Sequence, residues 1–355
     1  AVRQAETDGV TVAAFPELCV TGYTCGDLFL QTALIDGAKQ AIARIASATA
    51  DTGVLFFVGA PLVFGGKLLN CAVALCGGKA LGVVPKCHIP NYGEFYEQRH
   101  FTSGIGASGE IALAGAAVPF GASLVFEAVN VPGLKVAAEI CEDLWVACPP
   151  SSVAAQCGAT VVVNLSASDE TVGKADWRRK LVESQSGRCA CAYMYADAGS
   201  DESTGDLVFA AHQLIAENGT TVAESAPFAG GVATADVDLE KLLFERRRMN
   251  TFTACDSRTV PFTAAVAESK PQLSRTPFVP SDETERRARA QSILDMQAFA
   301  LKKRLAHTGC GAVIGVSGGL DSALALLVTA RAYALLKRKP REIVAVSMPG
   351  LGTGE

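Results

Sequence analysis

Three residues of complementary chemistry each follow an apolar, strand-like run: Glu17 after VTVAAFP, Lys86 after ALGVVP and Cys141 after LKVAAEI. A thiol of ordinary pKa ~8.5 is only a few per cent ionised at neutral pH, so an acyl-transferring cysteine needs a base for its proton or a cation beside it. Glu17 can supply the one and Lys86 the other. In such a site the Cys141 sulfur attacks a carboxamide carbon, Glu17 passes the thiol proton to departing ammonia, and water hydrolyses the thioester. Lys86 and the backbone N–H of Glu142 are the candidate oxyanion donors, one such donor being worth ~2.7–4 kcal/mol of transition-state stabilisation. Singly, each residue has a plain structural explanation: a Pro-Glu loop start, a snorkelling edge lysine, and a buried cysteine in a cysteine-rich chain. Their shared position at strand ends, where α/β folds gather catalytic groups, favours chemistry. A Cys–His pairing with His88, His100 or His212 is the alternative, but none of these sits in a comparable setting.

A second chemistry-bearing segment is SGGLDS at residues 317–322, between the strand-like GAVIGV and the helix-like ALALLVTARAYALL. Two glycines let the backbone approach an anion, two serines add hydroxyl donors, and a helix N-terminus adds free N–H groups and a positive dipole end. The loop reads as a phosphate loop, yet it lacks the lysine of a Walker A motif. Only 33 of the 355 residues follow it, so a nucleotide domain is expected to begin here without finishing.

The elements that must position these groups alternate. Strand-like runs rich in Val, Ile and Phe fall at 10–15, 54–64, 70–76, 80–86, 134–140, 160–166, 191–197 and 207–215, and helical patterns near 36–50, 148–157 and 173–187. Gly65-Gly66 and Asn218-Gly219 predict hairpins, and so antiparallel as well as parallel pairing. Sheets with helices on their outer faces would bury so many nearly continuous apolar strands. Residues 249–284, with Pro261, Pro271, Pro277 and Pro280, read as a linker between a first domain at 1–248 and a second at 285–355. An amphipathic helix over 283–309, closed by Gly309, opens the second domain. Arg246 to Arg248 are expected to be a solvated helix end.

Composition bounds the class. With 49% hydrophobic residues, a net charge of -5 and a pI near 5.6, the chain is large enough for two domains and carries no electrostatic footprint for nucleic acid or an anionic membrane. A small-molecule substrate is expected. The most apolar stretches, 54–64 and 111–126, are broken by Gly and Pro and fall short of a membrane span. Twelve cysteines scattered through core-like runs of a long chain suit buried thiols in a reducing, cytoplasmic setting. The close pairs Cys71/Cys76 and Cys189/Cys191 lack zinc-ligand spacing. The sequons at Asn164 and Asn218 read as chance matches.

The segments FPELCVTGYTCGDLF (15–29), PKCHIPNYGEFYEQRHF (85–101), EICEDLW (139–145) and NLSASDETVGKADWRR (164–179) resemble the nitrilase or carbon-nitrogen hydrolase superfamily, in particular the glutaminase domains of glutamine-dependent NAD+ synthetases. GVSGGLDSALALLV (315–328) and VSMPGLGT (346–353) are similar to the synthetase half, an N-type ATP pyrophosphatase. The resemblance implies an α/β fold: an α-β-β-α nitrilase-like sandwich followed by the start of a Rossmann-like, doubly wound ATP pyrophosphatase domain. It implies that Glu17 is the general base, Lys86 the cationic stabiliser, Cys141 the nucleophile and Glu94 a second carboxylate near them. Tyr23, Tyr92, Phe95, Trp145, Ser168 and Lys174 would build a glutamine pocket, Lys174 facing the α-carboxylate. Ser317, Gly318, Gly319, Asp321 and Ser322 would hold ATP phosphates and, through Asp321, Mg2+, with Met348 at the adenine. ATP would adenylate nicotinate adenine dinucleotide, and ammonia from glutamine would displace AMP to give NAD+. Members of such families are homo-oligomers, which is the expectation here.

The opening AVRQAETDG reads as the tail of a helix, so an earlier strand and helix start are expected upstream, and the rest of the synthetase site beyond Glu355. Two other functions compete. One is a stand-alone nitrilase-type amidase with a vestigial C-terminal segment, and the other an ATP-binding regulatory module on an inactive hydrolase scaffold.

Overall fold

The structure, a computed structural model, describes residues 1–199, 201–252, 255–266, 275–276 and 278–347. It divides into two compact units, Ala1–Lys270 and Pro271–Glu355.

The first unit is built on two mixed sheets. One contains β1 (Val12–Ala14), β2 (Leu55–Phe64), β3 (Lys67–Cys76), β4 (Lys79–Pro85), β5 (Ser108–Leu113) and β6 (Ala116–Gly121), in the order β1-β2-β3-β4-β6-β5. The other contains β7 (Leu124–Ala128), β8 (Lys135–Ile140), β9 (Val161–Ser166), β10 (Ala192–Asp197), β11 (Leu214–Glu217), β12 (Thr220–Glu224) and β13 (Arg258–Phe262), in the order β12-β11-β10-β9-β8-β7-β13. Both foreseen hairpins form, β2–β3 through Gly65 and Gly66 (φ 57° and 76°) and β11–β12 through Asn218 and Gly219 (φ 47° and 87°), turn residues that tolerate positive φ.

Side-chain alternation along the strands makes the layers. Phe57, Ala72 and Val84 of the first sheet meet Phe126, Val136 and Val163 of the second. The neighbouring Phe56, Val58 and Val73 point the other way, onto Ile42 and Ala46 of α2 (Thr32–Ala48), which follows the short α1 (Val2–Thr7). On the far side, Val162, Tyr193 and Leu214 pack with Ala155 of α3 (Pro150–Gln156) and Val182 of α4 (Lys174–Cys189). The result is the α-β-β-α sandwich anticipated from the sequence. Both faces of each sheet are covered, which is why the strands read as continuous apolar runs rather than alternating ones.

Several elements differ from expectation. Residues 207–213 are irregular, because Ala211 takes φ 51° and its N–H bonds Ala198 O (2.8 Å); the strand begins only at Leu214. The run at 111–126 holds parts of three strands, β5 to β7, with Gly115 in the turn between β5 and β6, Gly121 at the end of β6 and Pro119 within β6. Inside the presumed linker 249–284, β13 pairs in parallel with β7 and closes the second sheet. It is an edge strand, where Pro261 removes no ladder bond that the sheet needs. Just ahead of it, Cys255 forms a disulfide with Cys157 at the end of α3, so these two cysteines are not the free thiols expected. Cys71, Cys76, Cys87, Cys141, Cys189 and Cys191 are free and buried. Asn164 is wholly buried, as a chance sequon would be.

Arg246, in α5 (Leu239–Arg248), is no solvated end. Its guanidinium donates to the carbonyls of Ala190 (3.0 Å), Cys189 (3.0 Å), Ala155 (3.5 Å) and Ala159, which lie at and just past the C-terminal ends of α3 and α4. Arg247 and Arg248 are exposed.

The second unit comprises α6 (Glu283–Thr308), β14 (Ala312–Gly315), α7 (Leu320–Leu335) and β15 (Ile343–Val346), with β14 and β15 parallel. Asp282 caps α6 by accepting from Glu285 N (2.8 Å), and Gly309 ends it at φ 69°. Leu305, Ala332 and Tyr333 form its small core. In the described residues no helix is long and apolar enough to cross a membrane.

Candidate active site

Glu17, Lys86 and Cys141 lie just past the C-terminal ends of β1, β4 and β8, and all three are buried: Glu17 and Lys86 at 0% exposure, Cys141 at 6%. Lys86 Nζ donates to Glu17 Oε1 (2.7 Å) and to Glu97 Oε1 and Oε2 (2.8 and 2.9 Å). Asn70 Nδ2 adds a bond to Glu17 Oε1 (2.6 Å), and the Ala167 N–H caps Glu17 Oε2 (2.9 Å). One ammonium therefore stands between two carboxylates, with the thiol beside them.

The backbone around Glu17 and Lys86 is set by close approach. A Cβ on Gly59 of β2 would fall 2.1 Å from Leu18 N, so the Glu17 loop can cross the strand only over a glycine. Lys86 is held through its N–H to Asn70 O and its C=O to Gly104 N, both 2.8 Å. The buried Asp143 carboxylate then ties the Lys86 and Cys141 loops together. It accepts from Ile140 N (3.1 Å), Cys87 N (3.3 Å) and His88 N (2.9 Å). Cys141 occupies φ 43°, a left-handed conformation that costs a side-chain-bearing residue about 1–2 kcal/mol. Its own N–H is taken by Asn164 Oδ1 (3.1 Å), whereas the Glu142 N–H, second in the 3-10 turn Cys141–Leu144, has no acceptor within the turn.

The electrostatics follow from burial and this charge count. Burial pushes Glu17 up to about 7 against the pull of Lys86, close to the pH at which a base must both take and return a proton. Burial opposes the Lys86 charge, but Glu17 and Glu97 outweigh it and keep the ammonium well above its usual range. The Cys141 thiol is pushed far up, by burial first and then by Glu17, with Lys86 pulling the other way. Two carboxylates against one ammonium leave the setting net negative, so the resting sulfur is a thiol and must lose its proton as it attacks. Burial also pushes Glu139, two residues before Cys141, up to about 7, although Tyr193 and Ser151 donate to it.

The other sequence-predicted residues divide. Glu97, not Glu94, is the carboxylate on Lys86; Glu94 is exposed and lines, with Tyr23, Phe29, Phe95, Glu97 and Asp206, a cavity of about 140 Å³. Tyr23 donates its hydroxyl to Glu97 Oε1 (2.8 Å), so it steadies that carboxylate. Tyr92 donates to Glu142 (2.9 Å), its ring 6.4 Å from Phe95. Lys174 Nζ stands 5.4 Å from the ring centres of both Phe95 and Trp145 and pairs with Asp169. Ser168 is buried, its hydroxyl accepting from the wholly buried Arg178 (3.3 Å). His88 bonds Asp143, His100 bonds Asp27 and His212 bonds Arg178 and Glu224, which leaves the Cys–His alternative without a partner for the sulfur among these contacts. Sequence reasoning missed Glu97 and Asn70. A lone Asn opening the otherwise apolar run NCAVALC was the available signal for Asn70.

In the second unit Gly318 takes φ 85° and Gly319 caps α7, which starts at Leu320, so Asp321 and Ser322 lie in its first turn. Ser322 Oγ donates to Gly319 O (2.9 Å) and accepts from Ser317 N (3.3 Å), closing the loop on itself. Among the described residues no cluster of three or more His, Cys, Asp or Glu could hold a metal. A single carboxylate, Asp321, suits a cation such as Mg2+ that keeps water and phosphate ligands. Met348 lies outside the described residues.

The profile of the carbon-nitrogen hydrolase family matches residues 1–243. The chain is 42% identical to a glutamine-dependent NAD(+) synthetase of Mycobacterium tuberculosis and 41% identical to one of Mycobacterium leprae, in each case over 99% of this chain and 54% of the relative. It thus spans about half the length of the curated relatives it matches. In fold it resembles the crystal structure of a glutamine-dependent NAD(+) synthetase from Cytophaga hutchinsonii, at 22% identity and a TM-score of 0.58 over 100% of this chain and 57% of the other. A second likeness is to the ADP complex of the Acinetobacter baumannii synthetase, at 23% identity and a TM-score of 0.56 over 100% of this chain and 56% of the other.

Proposed function

From the premise that the chain belongs to the carbon-nitrogen hydrolase family, we propose that its first unit hydrolyses the carboxamide of glutamine at Cys141, and that the ammonia serves an ATP-dependent synthesis of NAD+ in the intact protein. The observation that carries the first part is the buried Lys86 bridged between Glu17 and Glu97 beside the thiol. The mycobacterial relatives support the second.

As the Cys141 sulfur bonds to the amide carbon, its proton moves to Glu17. The carbonyl oxygen takes the negative charge, facing Lys86 Nζ and the Glu142 N–H. When the C–N bond breaks, Glu17 returns the proton to nitrogen and ammonia leaves. Water then gives a proton to Glu17 and attacks the thioester; the C–S bond breaks, the sulfur regains its proton and glutamate departs. Glu97, held by Tyr23, keeps Lys86 charged and aimed throughout. The aromatic rings of Phe95 and Trp145, with Tyr92 at the exposed edge, flank the substrate's chain, Ser168 steadies the wall, and Lys174 meets the α-carboxylate by exchanging its bond to Asp169.

In the second unit Ser317, Gly318, Gly319 and Ser322 would hold ATP phosphates, Asp321 would hold Mg2+, and Met348 would contact the adenine. The magnesium would neutralise phosphate charge as ATP adenylates the carboxylate of nicotinate adenine dinucleotide. Ammonia would then displace AMP. A cytoplasmic homo-oligomer fits this chemistry. The test is NAD+ formation by the intact protein with glutamine against free ammonium: Cys141→Ala should lose synthesis from glutamine and keep synthesis from ammonium. Ammonia release that ignores ATP and the dinucleotide, with no NAD+ from either nitrogen source, would favour the stand-alone amidase.

A further inference from the structure

On the face of the second sheet turned toward α3 and α4, directly behind the nucleophile, buried polar groups join into one chain. Cys141 N donates to Asn164 Oδ1 (3.1 Å), and Asn164 Nδ2 donates to Tyr193 Oη (3.0 Å). The Tyr193 hydroxyl donates to Glu139 Oε1, and Glu139 Oε2 accepts from Ser151 N (2.7 Å). Ser166 Oγ adds a second donor to Asn164 Oδ1 (2.8 Å). Glu139 and Asn164 are register partners on β8 and β9, and Tyr193 lies on β10 two residues before Tyr195, the β10 partner of Asn164, on the same face. None of these side chains is more than 2% exposed, so water does not compete for the bonds.

The direction of every bond in the chain follows from its far end. Ser151 N–H can only donate, and Glu139 in its ionised form, which the Tyr193 and Ser151 donors favour against the pull of burial, can only accept, so the single Tyr193 proton goes to Glu139. Tyr193 then shows a lone pair to Asn164, which must turn its Nδ2 that way. Its Oδ1 is thereby committed to the Cys141 N–H. A left-handed φ at a cysteine persists only where the surroundings over-determine it, and this chain is what fastens the residue from behind.

We propose that Asn164, Tyr193 and Glu139 form a positioning relay that holds Cys141 in its left-handed, attack-ready conformation. None of the three touches the substrate. By occupying the Cys141 N–H, the relay also removes it as an oxyanion donor and leaves that role to Glu142 N–H and Lys86. The proposal rests on Cys141 being the nucleophile.

Tyr193→Phe removes one oxygen from the relay, and the isosteric Glu139→Gln puts an NH2 where an acceptor is needed. The experiment measures, for the intact protein, kcat and KM for ammonia release from glutamine, the rate of Cys141 alkylation by iodoacetamide, and the melting temperature. Expected is a kcat at least tenfold lower per folded molecule in Tyr193→Phe, with KM within about twofold and alkylation slowed in step. Asn164→Asp, which still accepts from Cys141 N, should retain more kcat than Asn164→Ala. A folded Tyr193→Phe with wild-type kcat and alkylation, or losses that merely track the unfolded fraction, overturns the relay. If Tyr193→Phe does not fold, Glu139→Gln is judged by the same criteria. Should the wild type release no ammonia from glutamine, the glutaminase reading fails on its own, and the alkylation rates alone decide the relay.

Discussion

Replacing Gly59 with alanine adds one methyl group to the interior of β2, and its cost can be worked from geometry. The new Cβ would lie 2.1 Å from Leu18 N and 2.8 Å from both Glu17 C and Pro16 O. These are backbone atoms, so no side chain can swing away; relief to an ordinary contact of ~3.4 Å moves the Glu17 loop by more than ~1 Å. Glu17 is held by bonds of 2.6 to 2.9 Å from Asn70, Lys86 and Ala167, none of which survives such a shift intact. A misplacement of ~1 Å in a reacting constellation costs about 10²-fold in rate, or ~2.7 kcal/mol. Overpacking adds ~1–3 kcal/mol of lost stability. The assay is ammonia release at saturating glutamine with thermal unfolding in parallel. Gly37→Ala is the control: it lies on the exposed face of α2 with nothing within 4 Å, and should gain up to ~1 kcal/mol of stability with unchanged turnover. Wild-type kcat and melting temperature in Gly59→Ala would refute the idea that this glycine sets the position of Glu17.

Lys86→Met strips the cation from two buried carboxylates and should destabilise the first unit by ~3–5 kcal/mol. Glu17, already raised from 4.5 to about 7, rises further; its favourable share is complete below pH ~4.5 and lost as pH climbs through 7. Urea unfolding should therefore show a smaller deficit at pH 5 than at pH 8, and a deficit that shrinks toward alkaline pH would contradict the charge count. Glu97→Gln should lower kcat at least tenfold more than Glu94→Gln, since only Glu97 binds Lys86; equal effects in steady-state kinetics would reverse that assignment. Arg246→Ala, which opens the carbonyl ends of α3 and α4, should cost ~1.5–3 kcal/mol in thermal unfolding, and Arg247→Ala within ~0.5.

The layered fold was largely legible because strands covered on both faces leave long apolar runs that hairpin glycines punctuate. Glu17, Lys86 and Cys141 were legible for a related reason: each is a chemically able residue where such a run stops. What stayed hidden depends on tertiary placement. Glu94 and Glu97 share one loop, and nothing in their spacing says which turns inward to the lysine. Asn70, Asn164 and Glu139 look like isolated polar residues inside strands until neighbouring strands bring partners to them. Pro261 marked 249–284 as a linker because proline is foreign to a sheet interior, and β13 escapes that rule by lying at the edge. Arg246 looked like part of a solvated basic run, yet the finished ends of two other helices supply its acceptors.

In the proposed chemistry Cys141 is a nucleophile activated by Glu17 and Lys86. The most direct test is the intact mass of the protein after exposure to an electrophilic glutamine analogue, followed by peptide mapping. One equivalent of label is expected, on Cys141 alone among the free cysteines, with label and ammonia release both lost in Glu17→Gln. Absence of label from Cys141 while ammonia release is blocked, or full labelling in Glu17→Gln, would contradict it.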